Sequence, residues 1–464
     1  MTLSRRHMLQ AMSTGFGYFA MAGLCQEQAA NAAYKSPLTP KQPHFEPQVK
    51  RVIFMCMRGG PAQTDTFDYK PRDRKVITTN ITPKGKSKNG NGVAGSVVPF
   101  SQHGDNGLWI ADSMPELAKH ANDLCIVNSM VTDLPNHPQS YLTLHTGDFR
   151  FARPSVGSWV LYGLGTENQN LPGFISINPE TRVGGAQNYG SAFLPAIYQG
   201  TAIGHVGGDV EKAGIRNANA SKPGEVQRQQ LDLVQSMNQR LLDQNRVDAQ
   251  LEGVIESLEL GFRMQTAAPA ALDVTGESEA TLERYNVGKT KASGRCLNDD
   301  FGRQCLVARR LAEAGVRYIE LCHSNWDQHG NHVKEITANC QAIDKPIAAL
   351  MQDLKDRDML KDTLIVWGGE FGRTPLSNEN GGSGHNSAGF SFFLAGGGVK
   401  GGVRYGSTDV TGKTAVENRV HIHDLHATML HLLGLDHEKL TYRYAGRDFR
   451  LTDVYGNVVH DILS

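Results

Sequence analysis

The sequence carries no excess charge of either sign. Its 464 residues include 47 lysines and arginines and 47 aspartates and glutamates, so the formal net charge is zero. Proteins that are drawn to nucleic acid or to an anionic membrane by their overall field have a strong positive balance. We therefore expect no nucleic-acid partner.

Cysteine is scarce and is never closely paired. None of the seven cysteines belongs to a Cys-x-x-Cys motif, which argues against a zinc ribbon and a thioredoxin-type site. Internal repeats are also missing, so the sequence shows no sign of a solenoid. A chain of this length forms one large domain or about two to three smaller ones.

Long apolar runs are missing outside the N-terminus. There, Arg5 and Arg6 precede a mild apolar run and the small-residue stretch "QAANAA". This order is typical of a secretory signal, and the arginine pair resembles a twin-arginine signal. The run is too short to span a bilayer comfortably. We expect a signal peptide at 1–32, cleaved after Ala32, a linker at 33–50, no stable membrane span, and a periplasmic or extracellular protein exported by the twin-arginine pathway.

Short apolar runs alternate with helical patterns along the rest of the chain. "VKRVIFMCM", "RYIEL" and "TLIVWGGEF" are typical of buried strands, and helical patterns precede the last two. We predict an α/β fold with a mostly parallel central sheet sandwiched by helices. "SMPELAKHANDLCIVNSM" predicts a further helix, capped by Ser113, that leads into a strand. Long helical patterns predict a helical insertion around 223–290.

Four polar loops follow the predicted strands. They are "RGGPAQTDTFD", "DLPNHPQS", "CHSNWDQHGNH" and "GGEFGRTP". In open α/β sheets, ligands bind outside the carboxyl ends of the strands. We therefore expect these four loops to converge on one site.

The third loop offers metal-ligand chemistry. Asp327 and His329 lie two residues apart beyond a strand, and His332 follows them. Carboxylate oxygen and imidazole nitrogen are donors that zinc, manganese and iron accept. The alternative is a hydrogen-bonded loop in which Asp327 caps the next helix.

The fourth loop places charge at the end of an apolar strand. Glu370 would be costly to bury without a cation, so either a metal ion or Arg373 is its expected partner. The planar guanidinium of Arg373 also suits a sulfate or phosphate group. By contrast, His426 and His431 fall on an amphipathic helix with Asp424 as its predicted N-cap, so they are predicted to be helix-face residues and not zinc ligands.

Several motifs together resemble a known family. "RRHML", "GGPAQTDTFDYKP", "NHPQ", "WDQHGN", "GGEFGRTP" and "DLHATMLHLLGLDH" are similar to the exported DUF1501 family, which is related to sulfatases within the alkaline phosphatase superfamily. The resemblance covers nearly the whole mature chain. It implies one sulfatase-like α/β domain over 51–464, a divalent-metal site, and hydrolysis of sulfate or phosphate esters.

The same resemblance assigns roles to residues in other loops. It places Asp65 at the first metal-binding aspartate, although a turn-forming aspartate is the alternative. It places His385 at the last histidine ligand. His137, which shares its loop with Asn136, stands where the nucleophilic cysteine or serine of sulfatases would be, so a formylglycine cannot form there.

These observations predict an exported, metal-dependent hydrolase that acts on an anionic ester or a sulfated glycan. A divalent ion, either zinc, manganese, calcium or iron, would polarise the ester and lower the pKa of a bound water. The predicted metal ligands are Asp65, Asp327, His329, Glu370 and His385, and the predicted catalytic residues are His137, Asn136 and Arg373. The alternative is a non-catalytic anion- or glycan-binding protein, or a structural protein whose long helices between Val226 and Gln265 form a contact surface.

Overall fold

The computed structural model describes residues 36–71, 73–78, 92–208, 213–214, 224–244, 249–289, 300–375 and 381–464. The predicted signal peptide and its cleavage site lie outside the described residues. Within the described ranges, no helix is both long enough and apolar enough to cross a membrane.

The strands are short and most lie at the centre of the molecule. In chain order they are β1 (Arg51–Met57), β2 (Asp73–Thr78), β3 (Gly92–Ala94), β4 (Phe100–His103), β5 (Leu108–Ala111), β6 (Leu124–Val131), β7 (Phe174–Ile177), β8 (Thr201–Ile203), β9 (Tyr318–His323), β10 (Thr363–Gly368), β11 (Gly372–Arg373), β12 (His385–Asn386), β13 (Phe390–Gly396), β14 (Val403–Tyr405), β15 (Ser407–Thr408), β16 (Ala415–Glu417), β17 (Val420–His421), β18 (Tyr442–Tyr444) and β19 (Arg447–Phe449).

The α-helices vary from one turn to seven turns. They are α1 (Pro115–Ala118), α2 (His137–Thr146), α3 (Val156–Leu164), α4 (Gly224–Gln244), α5 (Ala249–Leu272), α6 (Glu279–Arg284), α7 (Phe301–Glu313), α8 (His332–Asp356) and α9 (Ile422–Leu432). Helices α4 to α6 occupy the region of the predicted helical insertion.

Nine strands form the central sheet in the order β14-β6-β13-β10-β1-β9-β7-β8, and β17 pairs with β6. Strand β1 runs parallel to both β9 and β10. Strand β13 runs antiparallel to β10 and β6, while β14 and β17 run parallel to β6. The sheet is therefore mostly parallel, as predicted.

The strand sequences explain why the centre of the sheet is buried. Strands β1 and β10 have apolar side chains on both faces, and every residue of both is buried. Helix α2 covers the face that carries Phe54 and Glu320, because its His145 contacts both. Phe301 of α7 packs on His323. His323 lies three positions after Glu320 in β9, so its side chain points to the opposite face of the sheet. Helices thus cover both faces of the sheet, which confirms the predicted sandwich.

The helix predicted after Ser113 is much shorter than its pattern indicated. Helix α1 ends at Ala118, and a 3-10 turn separates it from β6. Its N-cap is Met114, which makes no side-chain cap bond, so the predicted Ser113 cap is wrong. The carboxylate of Asp344 instead accepts from the backbone N–H groups of Glu116 and Leu117, at 3.0 and 2.7 Å. A carboxylate from distant α8 supplies the cap that the local sequence does not.

The cap of α9 also differs from the prediction. His421 is the N-cap residue, and its Nδ1 accepts from the N–H of His423. Asp424 lies three residues further on and accepts from the N–H of His421 at 2.8 Å. Asp424 is therefore the returning half of a capping box and not the N-cap, and His426 does lie on the buried side of this helix.

Candidate metal-binding active site

The four polar loops meet at one edge of the sheet. Gly59 follows β1, His137 follows β6, Asp327 follows β9 and Glu370 follows β10. The N–H of Gly59 donates to Glu370 Oε1 at 3.0 Å, and His137 Nδ1 lies 2.6 Å from the same oxygen. His137 Nε2 lies 3.2 Å from Asp327 Oδ1. The side chains of His137 and Glu370, 233 positions apart in the chain, are thus neighbours.

One carboxylate oxygen is the centre of the cluster. Asp327 Oδ1 lies 3.2 Å from His137 Nε2, 2.9 Å from His329 Nε2 and 3.3 Å from His385 Nε2. Arg373 Nη1 donates to it at 2.8 Å. Partial burial opposes the ionisation of Asp327, but the close imidazoles of His137 and His385 and the charge of Arg373 outweigh it and hold the pKa of this carboxyl well below its usual range. Asp327 is therefore charged.

His137, Asp327 and His385 form a set of donors suited to a metal ion, because their ligand atoms all lie within 4.8 Å of one another. The second nitrogen of each imidazole is already engaged. His137 Nδ1 contacts Glu370, and His385 Nδ1 lies 3.0 Å from the carbonyl oxygen of Pro135. Metal-ligating histidines are usually oriented in this way by a carboxylate or a carbonyl.

His137 Nε2 gives a second reason to consider a cation. This nitrogen is buried, and among the described residues it makes no hydrogen bond of acceptable geometry, although Asp327 is close. Burial lowers the pKa of His137, but its contacts with Asp327 and Glu370 outweigh burial and raise that pKa to about 9. His137 therefore carries a positive charge between two carboxylates. A divalent cation would satisfy the same charge balance.

Glu370 is fully buried behind His137. Both of its oxygens accept from the N–H of Gly59, at 3.0 and 3.1 Å. Gly59 has φ +118, and a Cβ on it would lie 2.4 Å from the backbone nitrogen of Asp327. Only glycine lets the first loop approach this closely. Glu370 thus orients His137, and it lies outside the set of three close donors.

Arg373 is also fully buried, and its partner is Asp327 and not Glu370. Nη1 donates to Asp327 at 2.8 Å and to the carbonyl of Gly59 at 3.2 Å. Nε donates to Ser383 Oγ at 3.0 Å, while Nη2 donates to the carbonyl of Ser383 at 2.7 Å and lies 3.4 Å from His329 Nδ1. Because the protein engages every guanidinium nitrogen, the geometry favours a role in holding Asp327.

Asp65 occupies a separate buried pair. Its Oδ2 lies 2.9 Å from His332 Nε2, and its Oδ1 accepts from the N–H of Val97 at 2.8 Å. Neither Asp65 nor His332 belongs to the set of three close donors. The neighbouring Gln63 donates to the carbonyl of Arg373 at 2.8 Å, so this turn supports the site from behind. A metal-ligand role for Asp65 remains a prediction.

The remaining predicted residues lie at the rim. The side chain of His329 is 51% exposed. Asn136 is exposed and immediately precedes α2, where it makes no side-chain cap bond. Its catalytic role remains a prediction.

Two residues behind the site, Tyr141 and His145, were not singled out from the sequence. Tyr141 and His145 follow His137 at intervals of four on α2, so all three share one helix face. Tyr141 Oη lies 3.4 Å from Cys56 Sγ, and His145 Nε2 lies 3.3 Å from Glu320 Oε1. These buried contacts fix α2 and therefore the direction of His137. The four-residue spacing in "HPQSYLTLH" was the available signal.

A cavity of about 720 Å³ lies on the other side of the loop that precedes α2, and none of the residues of the cluster lines it. Asp133, His421, His423 and Tyr455 are among the residues that line it. His421 Nε2 lies 3.4 Å from Asp133 Oδ1, and the rings of His421 and His423 stack at 4.9 Å. The loop that runs from Asp133 to His137 lies between this cavity and the cluster.

Comparison with known families decides the family of the chain. The family model described as "Protein of unknown function (DUF1501)" matches residues 49–463. The chain belongs to the DUF1501 family. No curated protein matches it.

Solved structures with distant similarity to this DUF1501 protein include a sulfatase and an alkaline phosphatase. Ps i-CgsB in complex with k-i-k-neocarrahexaose is 12% identical, with a TM-score of 0.39 over 83% of this chain and 72% of that one. The PsFucS1 sulfatase from Pseudoalteromonas sp. is 13% identical, with a TM-score of 0.34 over 84% and 68%. The alkaline phosphatase from the Antarctic bacterium TAB5 is 11% identical, with a TM-score of 0.32 over 79% and 95%. None of these distant similarities assigns an activity to the chain.

Proposed function

We propose that this DUF1501 protein is an exported, metal-dependent hydrolase of sulfate or phosphate esters. The observation that carries the proposal is the approach of three imidazole Nε2 atoms and one guanidinium to Asp327 Oδ1. This cluster lies at the sheet edge where ligands bind in open α/β folds. Its imidazoles and charged carboxylate are donors suited to a metal cation, and a bound cation would attract an anion.

His137, Asp327 and His385 would hold the ion, with His329 beside them at the exposed rim. Two or three nitrogen donors with one oxygen donor suit zinc, manganese or iron better than calcium, which prefers oxygen ligands. When bound, the ion supplies positive charge that polarises the ester and lowers the pKa of water.

The protein side chains orient this centre. Glu370 holds a proton at His137 Nδ1, which leaves Nε2 facing the site. Arg373 keeps Asp327 charged and fixed in direction. Neither residue needs to touch the substrate for these effects. Burial of both side chains excludes water from the back of the site.

Substrate access is expected from the rim. His329 is exposed there, and the cavity beside Asp133 adjoins the loop that carries His137. The anionic group of an ester would lie against the cluster, and its organic part, such as the sugar of a sulfated glycan, would extend over this loop toward the cavity. The predicted signal peptide supports a periplasmic or extracellular location for this reaction.

The direct test is a hydrolysis screen of sulfate monoesters, phosphate monoesters and phosphate diesters with added zinc, manganese, iron or calcium. We expect turnover of at least one ester class by the wild type and loss of about 100-fold or more in Asp327→Ala, since the ion site would be lost. His205→Ala, which changes an exposed histidine outside the site, is the matched control. Ester binding without turnover by any metal form would favour the non-catalytic anion- or glycan-binding alternative.

A further inference from the structure

Arg58 follows β1 at the active-site edge of the sheet, and the proposed metal site does not use it. Its N–H donates to the carbonyl of His323 at 2.9 Å, and its carbonyl accepts from the N–H of Trp326 at 3.2 Å. The next residue, Gly59, donates its N–H to Glu370. The backbone of Arg58 is thus fixed between the loops that follow β9 and β10.

The side chain of Arg58 lies on the same side of the sheet as α2, the helix that begins at His137. Phe54 and Cys56 of β1 both contact side chains of α2. Side chains alternate along an extended chain, so Arg58, two positions after Cys56, points to the same side. The guanidinium of Arg58 and the ring of His137 therefore share one side of the sheet edge.

One buried carboxylate holds the guanidinium of Arg58. Its Nε lies 2.9 Å from Glu180 Oε2, in an ion pair without the geometry of a hydrogen bond, and the Glu180 side chain is only 2% exposed. Glu180 Oε1 accepts from the N–H of Arg182 at 2.6 Å, which fixes the carboxylate in direction. Burial lowers the pKa of Arg58, but the charges of Glu180 and Glu370 outweigh burial and raise that pKa. Arg58 is therefore a fixed positive charge beside the site.

The two terminal nitrogens of Arg58 are open to a ligand. Nη1 and Nη2 make no hydrogen bond within the described ranges of the chain, and the side chain is 24% exposed. Arg373, by contrast, is fully buried and has a protein partner at every guanidinium nitrogen. The planar fork of an arginine binds two oxygens of a sulfate or phosphate group at once. Arg58 can offer this fork to a ligand, and Arg373 cannot.

We propose that Arg58 binds the sulfate or phosphate group of the ester, the role for which the sequence favours Arg373. Because it names the residue that binds the substrate anion, this inference rests on the proposed function. Nη1 and Nη2 would donate to two oxygens of the anion while Glu180 holds Nε. The anion would then lie between Arg58 and the cluster at Asp327.

The test is isothermal titration of the full mature chain, in the presence of zinc, with inorganic phosphate and with inorganic sulfate. Neither titration needs turnover. We expect the wild type to bind at least one of the two anions, and Arg58→Gln to bind it about 10- to 100-fold more weakly because two charge-assisted hydrogen bonds are lost. Arg58→Lys keeps a positive partner for Glu180 but has no fork, so we expect binding about tenfold weaker than in the wild type.

Arg284→Gln is the matched control. Arg284 also pairs with a buried carboxylate, that of Asp353, and it lies beside the end of α8 that is farther from the site. Its removal should leave the anion affinity unchanged. Thermal unfolding shows whether each variant is folded, and Arg58→Lys supplies the result if Arg58→Gln does not fold.

Steady-state kinetics on a hydrolysed ester gives a second readout. Arg58→Lys should raise KM about tenfold and change kcat by less than about threefold, because the fork binds an anion that is present in both the substrate and the transition state. A purely structural ion pair with Glu180 would not move KM in this variant, since a lysine supplies the same charge.

A wild type that binds neither anion at about 10 mM overturns the inference. Arg58→Lys with the anion affinity of the wild type overturns it too, since Arg58 would then only neutralise Glu180. Anion binding that depends on Arg58, in a chain that hydrolyses no ester, would support this inference and contradict the proposed hydrolase activity. Ester hydrolysis with the same KM in the wild type and Arg58→Lys would contradict this inference and leave the hydrolase activity standing.

Discussion

Glu370 Oε1 lies 2.6 Å from His137 Nδ1, and both oxygens of Glu370 accept from the N–H of Gly59. This contact between the loops after β6 and β10 sets the direction of the His137 ring. It is the same relationship that orients metal-bound histidines, in which the nitrogen away from the ion is held by a carboxylate.

We predict that Glu370→Gln lowers zinc affinity by about 10- to 100-fold, because the amide still fits but no longer strengthens the basicity of His137. Isothermal titration of the metal-free protein with zinc measures this. Glu180→Gln is a matched control, since Glu180 is equally buried but pairs with Arg58. Equal zinc affinities for the wild type and Glu370→Gln would show that Glu370 does not support metal binding by His137.

Every guanidinium nitrogen of Arg373 has a partner within the protein, and this gives a second prediction. If Arg373 acts by holding Asp327, Arg373→Lys should lower kcat by about tenfold or more and change KM by less than about threefold. The charge remains, but a lysine cannot reach Asp327, Gly59 and Ser383 together. Steady-state kinetics on the best ester separates the two roles. A KM that rises about 100-fold with kcat unchanged would mean that Arg373 binds the substrate anion directly.

The close approach at Gly59 gives a third prediction. Gly59→Ala should lose ion binding and unfold at a lower temperature, because its Cβ would overlap the backbone of Asp327. Gly446→Ala has a similar positive φ of +85 but open space around the added carbon. It should cost only about 1 kcal/mol of backbone strain. Thermal unfolding with and without zinc compares the two, and indistinguishable variants would refute the steric argument.

Buried histidines outside the site give a pH prediction. Burial, with a smaller effect of His423, lowers the pKa of His426 to about 3, while its N–H donates to the carbonyl of Leu144. The unfolded chain gains a proton at this position below pH about 6.5, and the folded chain does not until pH about 3. Stability should therefore fall as pH falls through that window, by about 2 kcal/mol at pH 5 from this residue.

His426→Gln keeps a donor for Leu144 and removes the titration. Its melting temperature should change less than that of the wild type between pH 6.5 and pH 4.5, a window above the pKa of about 3 to which burial lowers His426. Differential scanning calorimetry at several pH values measures the difference. Parallel pH profiles for the two proteins would show that His426 titrates in the folded state as it does in the unfolded one.

The general position of the site could be predicted from the sequence because a parallel sheet brings strand ends together wherever the strands lie in the chain. That rule placed Asp327 and Glu370 near each other without any knowledge of contacts. The same rule placed the loop of His137 there, and the family resemblance added His385 and the position of His137 within the site. Asp327, His137 and His385 are indeed together.

The partners within the site could not be predicted, because they depend on loops that are distant in sequence. Arg373 follows Glu370 by three residues, yet it pairs with Asp327 from another loop. Asp65 pairs with His332, 267 positions away. The cap of α1 comes from Asp344 and not from the adjacent Ser113. Spacing indicates which groups need a partner, whereas packing selects which one they find.

The most direct test of the central claim is metal analysis of the purified protein by inductively coupled plasma mass spectrometry, before and after loading with zinc, manganese, iron or calcium. We predict about one tightly held ion per chain in the wild type and in His205→Ala, since the described residues form one such donor set. Asp327→Ala and His385→Ala should lose it. A wild type that carries no stoichiometric ion under any loading condition would contradict the account.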